Sequence, residues 1–201
     1  MVVSVLNYKY RKNVFTFVRM NDRKLLNMEL GRIRPEEYAS LPLSGLVVVL
    51  DNVRSAYNVG SIFRTCDAFK VDLLCLCGIC AVPPSAEIHK TAIGAELSVP
   101  WKHYGSTLQA VSTLRSEGYR IISVEQTLNA VSLEQFAPQE GEKYALIFGN
   151  EVDGVDQSVV DTSDMCLEIP QWGSKHSMNV SVSAGVVLWQ MVSRRLDLKC
   201  R

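Results

Sequence analysis

No stretch constrains this chain more than Leu46–Leu50, which reads Leu-Val-Val-Val-Leu. A continuous aliphatic run with no polar alternation predicts a strand covered on both faces. Comparable strand-like segments return at Val71–Cys77, Arg120–Val124, Tyr144–Phe148 and Met165–Ile169. Helical spacing separates them: Ser61–Phe69, a short Glu87–Thr91 after the break at Pro83-Pro84, an amphipathic Ser106–Glu117 ended by Gly118, a short Asp156–Asp161, and a last helix over Met178–Leu196. Strands alternating with helices predict an α/β domain with a largely parallel sheet flanked by helices. No internal repeat or low-complexity segment interrupts the pattern.

The chain has 201 residues, enough for one sizeable domain with an extension. Lys+Arg and Asp+Glu balance at 21 each, which argues against a protein that coats nucleic acid by bulk charge but not against a local basic patch. No apolar run approaches the roughly 20 residues of a membrane span, and the apolar start is too short for a signal peptide. A cytoplasmic protein with reduced thiols is expected. Cys75-Leu-Cys77-Gly-Ile-Cys80 invites a metal reading, but there is no second cluster at ligand spacing, so the thiols read as buried and no metal is expected.

Residues 1–42 form a basic extension, with 43–201 as the main domain. Lys9, Arg11, Lys12, Arg19, Arg23, Lys24, Arg32 and Arg34 stand against Asp22 and Glu29, with Tyr8, Tyr10, Phe15 and Phe17 interleaved. Cations with aromatics suit RNA, since charges meet phosphates and rings stack on bases. A solvated helical face over a few core aromatics explains the same pattern. Pro35 and Pro42 mark the boundary.

In parallel sheets ligands bind beyond the carboxyl ends of the strands. The loop after Leu50 carries Asn58, Ser61 and Arg64. Asn58 and Ser61 can cap the following helix, which sets Arg64 about one turn inside it, facing a phosphate gathered at the helix N-terminus. The loop after Phe148 reads Gly149-Asn150-Glu151-Val-Asp153-Gly154. Gly149 permits close backbone approach to a ligand, Glu151 can neutralise Arg64, and Asp153-Gly154 reads as a turn. After Ile169-Pro170 a polar loop leads to Ser177, Asn179, Ser181 and Ser183, alternating with Met178, Val180 and Val182. Small hydroxyls and an amide between a strand end and a helix start hold a ligand by hydrogen bonds, or simply cap the helix. Gly-x-Gly-x-x-Gly, the P-loop pattern and Gly-x-Ser-x-Gly are all absent, which argues against a common dinucleotide enzyme, a P-loop enzyme or a serine hydrolase.

Three segments together resemble the signature motifs of the SpoU (TrmH-type) RNA 2′-O-ribose methyltransferases. They are Asn58-x-Gly-x-x-x-Arg64 with Thr-Cys-Asp-Ala-Phe, Phe148-Gly-Asn-Glu151-x-x-Gly154, and Ile169-Pro170 followed by Ser177-Met-Asn179-Val-Ser181. His89-Lys-Thr-Ala-x-Gly-Ala-Glu96 is also family-like. The resemblance implies a C-terminal trefoil knot, S-adenosylmethionine bound in it, a homodimer, and RNA as substrate, with transfer RNA favoured over ribosomal RNA. It implies cofactor contacts at Glu125, Gln126, Thr127, Gly149, Asn150, Ile169, Gln171, Ser177, Met178 and Asn179. Two departures mark the third motif: Met178 stands where Leu is usual, and Gln171-Trp172 where an apolar-Gly pair is more typical.

By the same resemblance the reaction is attack of a ribose 2′-hydroxyl on a sulfonium methyl. Arg64 matches the family's catalytic arginine. A guanidinium is too basic to lose its proton cheaply, so the expected role is to stay charged, grip a phosphate and stabilise the alkoxide. Asn58 is expected to position the ribose or its loop, Glu151 to hold Arg64 or the loop, and Ser177 and Asn179 to fix the cofactor loop. The competing expectation is an RNA-binding protein on the same scaffold without catalysis.

Overall fold

The computed structural model describes residues 23–26, 29, 34–38 and 40–199. The chain divides into two compact units, residues 1–32 and 33–201. In the first, Arg23 pairs with Glu29 at 2.6 Å. That guanidinium, with the Leu26 N–H, holds the Glu29 carboxyl down at about 2. The remaining basic and aromatic residues of the extension before Arg34 and Lys24 aside, namely Lys9, Arg11, Lys12, Arg19, Arg32 and the four rings, lie outside the described residues.

The second unit is a seven-stranded parallel sheet. In chain order its elements are α1 (Pro35–Tyr38), β1 (Leu46–Asp51), α2 (Ala56–Ala68), β2 (Leu73–Cys77), α3 (Ala86–Ala92), α4 (Ala95–Ser98) and β3 (Trp101–Tyr104). Then come α5 (Thr107–Ser116), β4 (Tyr119–Val124), β5 (Val131–Ser132), β6 (Lys143–Phe148), α6 (Gln157–Thr162), β7 (Met165–Glu168) and α7 (Val180–Lys199). The aliphatic runs form buried strands because both sheet faces are covered. Leu46, Val48 and Leu50 point into one core with Ile62 and Phe63 of α2 and Val187 and Leu188 of α7. Val47 and Val49 point into the other, with Val111 and Leu114 of α5 and Val159 of α6.

Tyr38 explains why α1 belongs with this unit. It is buried, and its hydroxyl donates to the carbonyls of Cys66 at 3.2 Å and Val71 at 3.1 Å. Asp72 then fixes the approach to β1 by accepting from the N–H groups of Ser44 and Gly45 at 2.8 and 2.7 Å.

The strand order is β3-β2-β1-β6-β4-β7-β5. Strands β4 and β5 follow one another in the chain, yet β7 lies between them. The last strand therefore pairs on one side with β4 and on the other with β5. The expected C-terminal trefoil knot requires such an interleaved strand order. No described helix is long and apolar enough to cross a membrane.

Four elements were not expected from sequence: α1, β3, β5 and α4. β3 is an edge strand with Lys102 and His103 in solvent, so it lacks an aliphatic run. β5 is two residues long and α4 four, too short for any periodicity. The expected helix at Ser61 starts earlier, at Ala56, because Ser55 is its N-cap and accepts from the Asn58 N–H at 3.3 Å. Asn58 and Ser61 are thus inside α2, not capping it.

Candidate active site

A cavity of about 510 Å³ opens at the carboxyl ends of β4, β6 and β7. It takes in Glu125, Gln126, Gly149, Asn150, Ile169, Gln171, Ser177, Met178 and Asn179, every expected cofactor contact except Thr127. Thr127 instead closes a turn, its carbonyl accepting from the Ala130 N–H at 3.2 Å. The size is that of a small-molecule site.

The loops around the cavity are tied to one another. Asn150 Oδ1 accepts from the N–H groups of Val152 and Asp153, both at 3.0 Å, and the Asn150 and Gly154 backbones exchange two hydrogen bonds at 3.1 Å. This confirms the turn at Asp153-Gly154 but changes the reason for Gly149. A Cβ there would lie 1.9 Å from the Gly154 carbonyl carbon, so the glycine admits the loop's own backbone, not a ligand. Glu125 Oε2 accepts from the Val155 N–H at 2.9 Å and buttresses the same turn from β4. The Gln126 side chain donates to the His176 carbonyl at 2.8 Å and anchors the loop after β7.

At the cavity edge one hydrogen-bond chain joins all three motifs. Asn179 Nδ2 donates to Asn58 Oδ1 at 3.1 Å, and Asn58 Nδ2 donates to Glu151 Oε1 at 2.5 Å. Asn179 is also a cap: its Oδ1 accepts from the Ser181 N–H at 2.9 Å and the Ser181 hydroxyl at 2.6 Å. The capping reading of this stretch therefore holds, and the same Asn179 lines the cavity. Ser177 lines the cavity as an exposed side chain.

Arg64 is elsewhere. It is the ninth residue of α2, about 13 Å along the axis from the cap at the ordinary helical rise. The expectation that it sits one turn inside the helix, paired with Glu151, is corrected: Asn58 holds Glu151. Arg64 lines a second cavity of about 610 Å³ with Ser61, Thr65, Lys90, Ile93 and Gly185 of α7. It is exposed and makes no hydrogen bond or ion pair among the described residues.

The two cavities differ in charge. Among the described residues the first is lined by four acidic residues, Glu125, Glu151, Asp153 and Glu168, and by no Lys or Arg. The second carries Arg64 and Lys90 and, among the described residues, no acid. The first suits a cationic ligand and repels a phosphorylated one, and the second suits a phosphate. Sequence reasoning missed Glu168 and His176, which line the first cavity, and Asp51. Asp51 is buried at the end of β1 and accepts from Thr107 Oγ1 at 2.5 Å and the Asp156 N–H at 2.8 Å, so it fixes the far side of the loop that Glu125 holds. An acid closing an aliphatic run was its one signal. Among the described residues no group of three His, Cys, Asp or Glu side chains is placed to hold a metal ion. Burial instead pushes the Cys75 thiol up to about 12 and Cys80 to about 11.

Comparison with known proteins agrees with this geometry. The chain is 30% identical over 156 residues to a tRNA (guanosine(18)-2'-O)-methyltransferase of Mus musculus, covering 77% of this chain and 10% of that protein. It is 32% identical over 149 residues to a 23S rRNA (guanosine-2'-O-)-methyltransferase of Nitrosomonas europaea, covering 72% of this chain and 55% of that one. The chain thus spans between a tenth and about two thirds of the length of such relatives. The crystal structure of a TrmH/SpoU tRNA modifying enzyme from A. aeolicus superposes with a TM-score of 0.71 at 26% identity, covering 82% of each chain. The profile of the SpoU rRNA Methylase family matches residues 45–189, well over half of the sequence, and the chain belongs to that family.

Proposed function

We propose that this protein transfers a methyl group from S-adenosylmethionine to a ribose 2′-hydroxyl of RNA and works as a homodimer in the cytoplasm. The observation that carries the reading is the acidic cavity bounded by the Asn179–Asn58–Glu151 chain. A cofactor bearing a sulfonium and an ammonium fits four carboxylates and no Lys or Arg, whereas a nucleoside phosphate does not. The residues that would hold it are the loop backbones at Glu125–Gln126, Gly149–Asn150, Ile169–Gln171 and Ser177–Asn179. Bound there, it supplies an electrophilic methyl group.

The chain's own residues supply alignment and charge. Asn58, fixed from both sides, sets the edge of the cavity where a ribose must enter. Arg64 stays protonated, binds the phosphate next to the target ribose and stabilises the developing alkoxide. Arg64 does not line the acidic cavity of its own chain, so a second copy is the natural way to bring the two together. Val182, Val186 and Trp189 of α7 are exposed at helical spacing and offer an apolar stripe for that copy. The likeness to a tRNA modifying enzyme of similar length favours transfer RNA over ribosomal RNA.

The test is methyl transfer from labelled S-adenosylmethionine to unmodified total RNA, fractionated into transfer and ribosomal pools and digested to nucleosides. A 2′-O-methylated nucleoside that disappears with Arg64→Ala is expected. Intact cofactor binding with no transfer to either pool would favour a protein that only binds RNA.

A further inference from the structure

Three large apolar side chains stand almost wholly in solvent on the loops that build the acidic cavity, Val152 in its lining and Leu128 and Trp172 within two residues of lining residues: Leu128 is at 104% exposure, Val152 at 80% and Trp172 at 88%. Each comes from a different loop, following β4, β6 and β7. Those strands are adjacent in the order β6-β4-β7, so the loops rise side by side. Glu151 and Asp153, on either side of Val152, line the cavity, as does Gln171 beside Trp172. A single exposed apolar residue is ordinary on a protein surface, but one in each loop around one cavity is a patterned rim. Trp172 has no ring partner among the described residues. Its loop is nonetheless held: Ile169 packs against the core at one end, and Gln126 holds the His176 carbonyl at the other.

We infer that this rim seats the base of the target nucleotide, with Trp172 as its stacking platform and Leu128 and Val152 closing the apolar collar. The inference rests on the methyl-transfer reading. If a ribose 2′-hydroxyl reaches the cavity, the base on that same ribose lies within a sugar's width of the mouth. An exposed indole meets the π-face of any base, and exposed Lys175 and His176 on the same loop suit the adjoining phosphate. A rim of three side chains is far too small for a stable protein interface, which needs roughly 1,200 Å² or more of buried surface. The substrate nucleotide must therefore be unstacked, in a loop or bulge and not in a duplex.

The test compares wild type, Trp172→Ala and Trp172→Phe in the full chain with S-adenosylhomocysteine bound. The probes are a single-stranded dodecaribonucleotide of mixed sequence and the same strand with a central abasic stretch. The emission of Trp172, taken as wild type minus Trp172→Phe, should be quenched by the first probe and much less by the second. Trp172→Ala should weaken binding of the first probe about tenfold, with Trp172→Phe close to wild type. Affinity for S-adenosylhomocysteine, measured by calorimetry, should be unchanged in all three. No quench, equal affinity of wild type and Trp172→Ala, or equal losses for both probes overturns the inference. A parallel loss of S-adenosylhomocysteine affinity in Trp172→Ala also overturns it, assigning the indole to the cofactor. If wild type itself does not bind S-adenosylhomocysteine, the methyl-transfer reading fails first and takes this inference with it.

Discussion

Asn58 donates its side-chain amide to Glu151 Oε1 at 2.5 Å across 93 residues of sequence, while its own oxygen accepts from Asn179. Only an amide does both: a carboxyl at this position keeps the acceptor but sets a second negative charge against Glu151. Asn58→Ala should cost about 1–3 kcal/mol, since it removes two hydrogen bonds, one of them to a carboxylate. Asn58→Asp should melt below Asn58→Ala at pH 7.5, with the gap closing on acidification as the paired carboxyls share protons. Thermal unfolding from pH 8 to pH 4 checks this. Identical melting of the two variants at pH 7.5 would mean that the link is not formed in solution.

Gly149 gives a second prediction. Its missing side chain leaves room for the Gly154–Val155 backbone, which an added methyl would meet at about 2 Å. Gly149→Ala must open the turn that Asn150 and Glu125 hold together, at a cost of about 1–3 kcal/mol. Calorimetry with S-adenosylhomocysteine should then show binding lost or weakened more than tenfold. Gly173→Ala is the control, since nothing lies within 4 Å of its added carbon.

The contrast between these positions shows what sequence reading reaches. Leu46–Leu50 and Tyr144–Phe148 declare buried strands by composition, and the strand-end rule then finds the loops of Gly149, Gln171 and Ser177. Trp101–Tyr104 declares nothing, because an edge strand with exposed Lys102 and His103 follows no simple pattern. The partner of Glu151 was also hidden. It depends on the helical register of α2, which Ser55 sets by capping the helix earlier than the polar run suggested. Asn58 and Arg64 are then six residues apart within one helix, about 240° around its axis, so Asn58 meets Glu151 while Arg64 lines the second cavity. The position of β7 between β4 and β5 is a property of topology that no local pattern carries.

Acid should weaken the fold partly through Glu96. Its side chain is 8% exposed and takes a 2.5 Å hydrogen bond from His89 Nδ1. Burial raises its pKa, but the His89 bond and the N–H groups of Glu96 and Gly94 outweigh that, leaving it below the usual glutamate range. A depressed folded-state value means stability that is present above the unfolded value and lost as pH falls through the folded one. Glu96→Gln should therefore flatten the acid limb of the melting curve as pH falls through and below the ordinary glutamate range. The pair sits beside the turn at Ile93 and Gly94, both at positive φ, next to Lys90 and Arg64. An acid limb as steep in Glu96→Gln as in wild type would remove the pair from the account.

Arg64 offers the sharpest test of the dimer. It faces a basic cavity on α2, α3 and α7, while among the described residues the acidic cavity of the same chain contains no arginine. Arg64→Ala should keep S-adenosylhomocysteine affinity within twofold and lose methyl transfer by about a hundredfold or more, with Arg64→Lys partly active as a charge without the planar fork. If each active site takes Arg64 from one copy and the cavity from the other, two dead variants should rescue one another. Arg64→Ala mixed with the cofactor-defective Gly149→Ala gives heterodimers with one intact composite site, so random exchange restores about a quarter of wild-type activity. If both parts come from one chain, every site in the mixture carries a defect and nothing is restored. The measurement is methyl transfer after unfolding and refolding the two variants together, with sedimentation run on the same samples. A monomer at micromolar concentration would rule out the shared site, whatever the activity.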